Sequence, residues 1–359
     1  MLPSNTQLIM SRDPQITVSQ AKRPLFAGVD VGGTSIKMGL VDDLGRRLGV
    51  TAIGTEQERG PADAIGRINQ ALTRLAAQLE VRWEDVAAIG LGTPGSMDLP
   101  AGTILEPPNM PDWRYFPIRN RLSEACDKPV SFANDANAAA FGEYWIGSGR
   151  QFQSIAMFTL GTGVGGGIIL NGISINGQHS FGSELGHLVI DQSADARQCV
   201  WGGGRGELEA YASAPAVVAR AAELLAAGRD SSVRVRVTAG EELTPLLLCE
   251  ESERGDQLSQ EIILETARHL GVGVVSVVHT VDPDAVILGG AMNFGGHDTE
   301  TGRRFLDAVR AEFKSRAYHV VRDSTVIDFA SLGGDAGYLG AAGLARAAFH
   351  ATGPAKELP

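Results

Sequence analysis

LGTGVGGGIIL, Leu160 to Leu170, sets five glycines into the seven positions from Gly161 to Gly167. The residues before them, SIAMFTL (154–160), are apolar and partly β-branched, which predicts a strand. After them IIL (168–170) resumes a strand, and Asn171-Gly172 turns the chain. A dinucleotide fingerprint needs a helix after its glycines, because the pyrophosphate rests on that helix N-terminus. Here β-branched residues follow instead, and no acidic residue marks the end of a second strand. A Walker A loop is excluded as well, since no Gly-Lys-Ser/Thr occurs in the loop. Two readings remain for a glycine hairpin. Its successive N–H groups form an anion nest, or it is a tight β-turn with no ligand.

The same pattern opens the chain. LFAGVDV (25–31) is a strand, Gly32-Gly33-Thr34 is the turn, and IKMGLVD (36–42) is the return strand. Strand, glycine loop and strand thus occur twice, about 130 residues apart. The repeat predicts two lobes of similar topology, each contributing one hairpin. Two such hairpins facing each other across a cleft would hold a triphosphate from both sides. Between them, Ile65, Ile68, Leu72, Leu75 and Leu79 give a helix over 61–79 with Pro61 in its first turn. VAAIGLG (86–92) and PVSFAND (129–135) are strands, and 136–145 is a helix. Helices are expected at 206–228, 258–281, 301–316 and 334–349, with strands at 285–288 and 324–330. The last helix is rich in alanine and glycine, which allows close packing. Residues 1–23 read as a flexible tail and 229–257 as a charged, irregular surface excursion. Strands alternating with helices make the class α/β.

Composition narrows the function. A chain of 359 residues, 43% of them apolar, suffices for two cores. The net charge of −11, with no basic run, argues against nucleic-acid binding. Three widely spaced cysteines without a C-x-x-C imply a reducing compartment and no disulfide framework. The N-terminus has no apolar signal region, and the most apolar stretch, 270–281, is too short to span a bilayer. A soluble, cytoplasmic protein without a membrane partner is expected.

Asp30-Val31-Gly32-Gly33-Thr34-Ser35-Ile36-Lys37, Thr93-Pro94-Gly95, Asn134-Asp135, the 161–167 loop and Glu184-Leu185-Gly186-His187 follow in this order. Together they resemble the ROK family of sugar kinases, most closely its glucokinases, over nearly all of residues 24–349. The resemblance implies a two-lobed, actin-like and RNase H-like fold of the hexokinase superfamily, with a ligand cleft between the lobes. The N-terminal lobe would span 24–131 and the C-terminal lobe 132–333, with helix 334–349 packing back on the former. It implies ATP-dependent phosphorylation of a hexose, foremost the 6-hydroxyl of glucose, with Asp135 as general base. Fructose, mannose and N-acetylmannosamine stay open as substrates, and polyphosphate as donor.

By the same resemblance Gly32, Gly33, Thr34, Gly161, Thr162 and Gly163 approach the ATP phosphates, and Asp30 holds Mg²⁺ through water. Lys37 is either a nucleotide ligand or a solvated strand lysine. Gly289 and Gly290 lie against the adenosine, or form a plain strand-to-helix turn. Asn109, Asn134, Asp135, Glu184, His187 and Glu209 bind the sugar hydroxyls. Glu184 and His187, three apart, would share one face of a helical turn. Asp135 has a plainer alternative as a helix N-cap. A homodimer is expected by analogy. A ROK-type repressor needs a helix-turn-helix ahead of the sugar domain, and the residues before Leu25 do not suggest one. A non-catalytic sugar sensor is the other alternative.

Many ROK proteins carry zinc on the histidine of the sugar motif plus C-x-C-G-x-x-G-C. Here the segment reads Cys199-Val200-Trp201-Gly202-Gly203-Gly204-Arg205-Gly206-Glu207-Leu208-Glu209. Only His187 and Cys199 remain as clear ligands; Trp201 or Gly202 replaces the second cysteine and Glu207 the third. A closed four-ligand cage is not available, so zinc is not expected. The loop must be held by packing, with Trp201 a candidate, and another hydrogen bond must fix the ring of His187.

Overall fold

The structure, a computed structural model, describes residues 16–107, 110–199 and 203–352. It divides into two compact units. The first comprises the chain up to Gly147, Asn176–Gly182 and the residues from Asp335 on; the second comprises Ser148–Ile175 and Ser183–Gly334.

In the first unit β1 (Leu25–Val31), β2 (Ser35–Val41) and β3 (Arg47–Gly54) form an antiparallel meander. β4 (Val86–Thr93) pairs parallel with β1, and β7 (Val130–Asn134) parallel with β4, giving the order β3-β2-β1-β4-β7. A small hairpin, β5 (Met97–Asp98) and β6 (Thr103–Ile104), follows β4. Alternate residues of β1 serve opposite faces. Leu25, Ala27, Val29 and Val31 join one core with Ile65, Ile68, Leu72 and Leu75 of α1 (Gly60–Gln78) and Ile118 and Leu122 of α2 (Ile118–Cys126). Each such large apolar side chain contributes about 1.5–3 kcal/mol by leaving water.

The opposite face of that sheet carries α3 (Asp135–Trp145) and α11 (Ala336–Thr352). These helices come very close. A Cβ built on Gly28 would lie 1.8 Å from Tyr338 O, one on Gly90 1.7 Å from Ala341 O, and one on Gly340 1.6 Å from Ala138 O. The small residues of the last helix are thus required by backbone-to-backbone packing. Gly340→Val is expected to destabilise the protein by about 3 kcal/mol or more, at the upper end of overpacking costs. An unchanged denaturant midpoint for this variant would contradict that packing.

The second unit repeats the design. β8 (Ile155–Leu160), β9 (Val164–Leu170) and β10 (Ile173–Ser174) are antiparallel, and β11 (Ala285–Gly289) and β12 (Val326–Phe329) run parallel to β8. The order, β10-β9-β8-β11-β12, matches that of the first sheet strand for strand. Helices α4 (Glu209–Ala212), α5 (Ala214–Ala226), α6 (Val233–Thr238), α7 (Pro245–Glu253), α8 (Gln257–Val281), α9 (Glu300–Arg316) and α10 (His319–Arg322) complete it. The stretch 270–281 is the second half of α8, a helix long and apolar enough to cross a membrane by length and composition. Leu258, Ile262, Ile263, Leu270, Val274 and Val278 are buried in the core of this unit, however.

Four expectations change. Segment 229–257 is largely helical, as α6 and α7, the latter capped by Thr244, whose side chain accepts from Leu247 N. The expected helix 206–228 starts later and is broken at Ser213, which caps α5. Residues 16–23 are not loose: Ile16 N–H donates to Arg47 O at 2.9 Å and Lys22 N–H to Asp42 Oδ2 at 3.0 Å; residues 1–15 lie outside the described ones. The boundary at 131/132 does not separate the units, because β7 is hydrogen-bonded to β4 and carries α3, with Asp135, into the first unit.

Candidate active site

In the first unit the turn after β1 is built by its own hydrogen bonds. Gly32 N–H donates to Ser35 O at 2.9 Å, and Thr55 donates its hydroxyl to Gly32 O at 2.6 Å and its N–H to Thr34 O at 2.9 Å. Gly33 and Thr34 are exposed, and a Cβ on Gly33 would meet nothing within 4 Å. Asp30 faces the first turn of α11, where a Cβ on Gly337 would lie 2.2 Å from its Oδ2. Burial pushes the Asp30 carboxyl up to about 6, against the pull of Lys37, its cross-strand partner on β2. Lys37 is not simply solvated. It pairs with Asp335, as Arg47 also does, and its ammonium sits 5.7 Å from the centre of the Tyr338 ring.

Asp30 therefore costs stability where it is ionised. Its folded pKa lies above the unfolded value of 3.8, so the folded state holds the proton more tightly. Stability is fullest below about pH 4 and is lost as pH rises through about 6. The cost at pH 7.5 is at most about 3 kcal/mol. Asp30→Asn is expected to melt higher than the wild type at pH 7.5, with the gap closing toward pH 4. A variant that melts lower at pH 7.5 and equally at pH 4 would reverse the sign.

Asp135 is the first residue of α3, and Asn134 is the N-cap. Asn134 Oδ1 accepts from Ala136 N at 2.8 Å and from Asn137 N at 3.4 Å, which makes Asn134 the N-cap, and Asp135 Oδ1 shares the Ala136 N–H at 2.8 Å. Asp30 is in register with Gly92 on β4, and Thr93 with Asn134 on β7. The two carboxylate-bearing segments thus end parallel strands on either side of β4, about 10 Å apart by strand spacing. The outer ends of parallel strands are where α/β sheets bind ligands. Asn109 lies outside the described residues.

In the second unit the loop between β8 and β9 is likewise self-supported. Gly161 N–H donates to Gly163 O at 3.0 Å, and Gly161 O accepts from Ala214 N at 2.8 Å. Thr162 is exposed, and a Cβ on Gly161 would meet nothing within 4 Å. Gly163 differs, since its Cβ would lie 2.4 Å from Glu209 Oε2. That oxygen accepts from Val164 N at 2.8 Å, while Glu209 Oε1 accepts from the Cys199 thiol at 2.9 Å. Gly289 and Gly290 are crowded by their own unit: a Cβ would lie 2.3 Å from Met157 Cε and 2.2 Å from Leu160 O, respectively. Gly290 also has φ +92°, in the left-handed region that favours glycine. Their small size therefore has a reason within the protein.

Glu184 precedes a 3₁₀ turn, Leu185–His187, that lies directly on β9; a Cβ on Gly186 would sit 2.0 Å from Val164 O. His187 N–H donates to Glu184 O at 3.2 Å to close the turn, and the charges of the two side chains act on each other. Burial raises the Glu184 carboxyl; His187 opposes this and the charge of Glu209 adds to it. Burial alone would lower His187, but the Glu207 hydrogen bond and the charges of Glu207, Glu209 and Glu184 raise it on balance. His187 Nδ1 lies 2.9 Å from Glu207 Oε2. Glu207 was legible only as an odd residue at a lost cysteine position; its partner is twenty residues away in the chain.

These side chains do not suit zinc. His187 and Glu207 are already hydrogen-bonded to each other, and Cys199 is turned to Glu209. Among the described residues no three His, Cys, Asp or Glu side chains form a group that could hold a metal ion.

Two α/β units of identical strand order, each opening on a glycine-turn hairpin, define the class: the actin-like fold of the hexokinase superfamily. Within it the chain belongs to the ROK family, whose profile matches residues 26–348. A glucokinase of Thermotoga maritima is 33% identical over 319 residues, covering 88% of this chain and 96% of that protein. The crystal structure of a ROK family glucokinase from Streptomyces griseus, in complex with glucose and AMPPNP, aligns with a TM-score of 0.73 at 32% identity. That match covers 90% of this chain and 99% of the other. A xylose repressor of Caldicellulosiruptor bescii is 30% identical over 233 residues, 65% of this chain and 56% of the repressor.

Proposed function

We propose that the protein is an ATP-dependent sugar kinase that phosphorylates the 6-hydroxyl of glucose, with Asp135 as general base. The observation that carries this is the position of Asp135: it opens α3 while Asn134 does the capping. The helix N-terminus favours the ionised carboxylate. In phosphoryl transfer a carboxylate so placed orients the attacking hydroxyl and takes its proton late. Mg·ATP enters as substrate. The turns at Gly33–Thr34 and Gly161–Thr162 are the places where the backbone would approach its phosphates, and Asp30 is assigned to the hydrated magnesium ion. Glu184, His187 and Glu209, with Asn134, are assigned to sugar hydroxyls. The glucokinase relatives support both the reaction and the sugar.

A coupled ADP-release assay with Mg·ATP against glucose, fructose, mannose and N-acetylmannosamine tests this. Glucose is expected to have the highest kcat/KM. A better turnover of another hexose would overturn the choice of sugar. No sugar-stimulated ADP release, together with no sugar phosphate formed from polyphosphate, would overturn the reaction.

A further inference from the structure

Specific side chains and backbone groups hold the described parts of the segment between the sugar motif and α4. Antiparallel bridges join Val189 to Glu207 and Gln198 to Arg205. Gln198 Nε2 donates to Gly203 O at 2.6 Å, and Gly206 N–H donates to Arg197 O at 2.9 Å. Glu207 is the centre of this clasp. Its Oε1 accepts from Gly204 N at 2.8 Å, and its Oε2 is bonded to His187 Nδ1 at 2.9 Å. The carboxylate lies in a glycine cradle: a Cβ on Gly203 would approach its Oε2 to 2.2 Å and one on Gly204 its Oε1 to 2.9 Å. A side chain at either position would displace it. The Glu207 side chain is mostly shielded, whereas that of His187 is 47% exposed. The ring is thus anchored from the protein side and open on the other.

We propose that Glu207 is a positioning residue that fixes the ring of His187 in the place of a metal. It commits Nδ1 to the protein and leaves Nε2 as the ring atom presented to a hydroxyl-bearing ligand. The physical logic is that of an oriented histidine generally: the bond made by one nitrogen sets the ring plane and the role of the other. A carboxylate that is itself held by a backbone N–H does this without a thiolate cage. Cys199, the remaining cysteine of the motif, has a parallel duty. Its thiol donates to Glu209, whose other oxygen holds Val164 N–H at the glycine loop. The clasp therefore stands in for the lost cage on both of its sides. The assignment of His187 to a sugar hydroxyl rests on the kinase reading above; the metal-free clasp does not.

The test uses the full-length protein as purified, with Glu207→Ala and Glu207→Gln. Metal content by mass spectrometry and the ¹⁵N spectrum of the His187 ring, both without substrate, examine the clasp alone. Sub-stoichiometric zinc and a ring with Nδ1 protonated are expected, the latter lost in Glu207→Ala. Loss of a charged hydrogen-bond partner should raise the KM for glucose by about 10- to 100-fold, with the KM for ATP within about twofold. Glu207→Gln, which keeps one acceptor oxygen, should fall between the wild type and Glu207→Ala. Stoichiometric zinc in the wild type, or an unaltered ring spectrum in Glu207→Ala, would overturn the clasp. Equal rises in both KM values would overturn the positioning role in favour of a merely structural one. If the wild type does not turn over sugar, the kinase reading fails while the metal and ring spectra still decide the clasp.

Discussion

Asp135→Asn is expected to lower kcat with glucose and Mg·ATP by about 10²- to 10⁴-fold, the range for loss of a general base. The variant should fold. Asparagine matches the shape of aspartate, and the cap of α3 is made by Asn134 Oδ1, which the change leaves alone. What is lost is the ability to take a proton from the hydroxyl. Glucose binding by calorimetry should stay within a few-fold, because an amide still bonds a hydroxyl. A variant that retains a tenth or more of wild-type kcat would remove Asp135 from the reaction. A variant that no longer melts cooperatively would show that Asp135, and not Asn134, holds the helix start.

Gly33→Val and Gly161→Val should each raise the KM for ATP, by on the order of 10²-fold, the cost of displacing a reacting group by about 1 Å. The reasoning is steric. A Cβ at either position meets no protein atom within 4 Å, so the melting temperature should hardly move. Only a ligand that comes onto the turn would feel the side chain. Gly163→Val is a poorer probe than its place in the loop suggests. Its Cβ would lie 2.4 Å from Glu209 Oε2, so it disturbs a residue assigned to the sugar and should raise both KM values. If Gly33→Val and Gly161→Val leave the KM for ATP unchanged, the two turns are ordinary hairpins and the phosphates bind elsewhere.

The two hairpins were readable because each consists of apolar runs around glycines, and the register between strands then follows from a short turn. Their repetition carried the deeper inference, and the matching strand orders bear it out. β3 was not read as a strand, since Arg47, Gly49 and Gly54 dilute the pattern of RLGVTAIG. α2 escaped for the opposite reason: IRNRLSEAC buries only Ile118, Leu122 and Cys126. In 229–257 charge masked two helices, although Thr244-Pro245 is a proper N-terminal signal. The unit boundary was misplaced because sheet membership of β7 depends on pairing with β4, across 36 or more intervening residues.

The candidate site shows the same division. The glycine turns stand out by residue type, whereas Asp135 and the Glu184–His187 pair stand out only within the ordered set of motifs that resembles the ROK family. The requirement for a substitute bond to His187 was also foreseeable, from the missing cysteines. That Glu207 provides it was not, because the bond depends on the bridge between Val189 and Glu207. Likewise nothing in the sequence ties Lys37 and Arg47 to Asp335, which lies at the far end of the chain and reaches them only because α11 packs on β1.

The most direct test of the central claim is to incubate the wild-type protein with glucose and Mg·ATP and follow the mixture by ³¹P and ¹³C NMR. The account predicts glucose 6-phosphate and ADP in equal amounts, with the ³¹P–¹³C coupling at C6. Intact ATP beside glucose that binds by calorimetry would contradict phosphoryl transfer and make the protein a sugar-binding member of the ROK family.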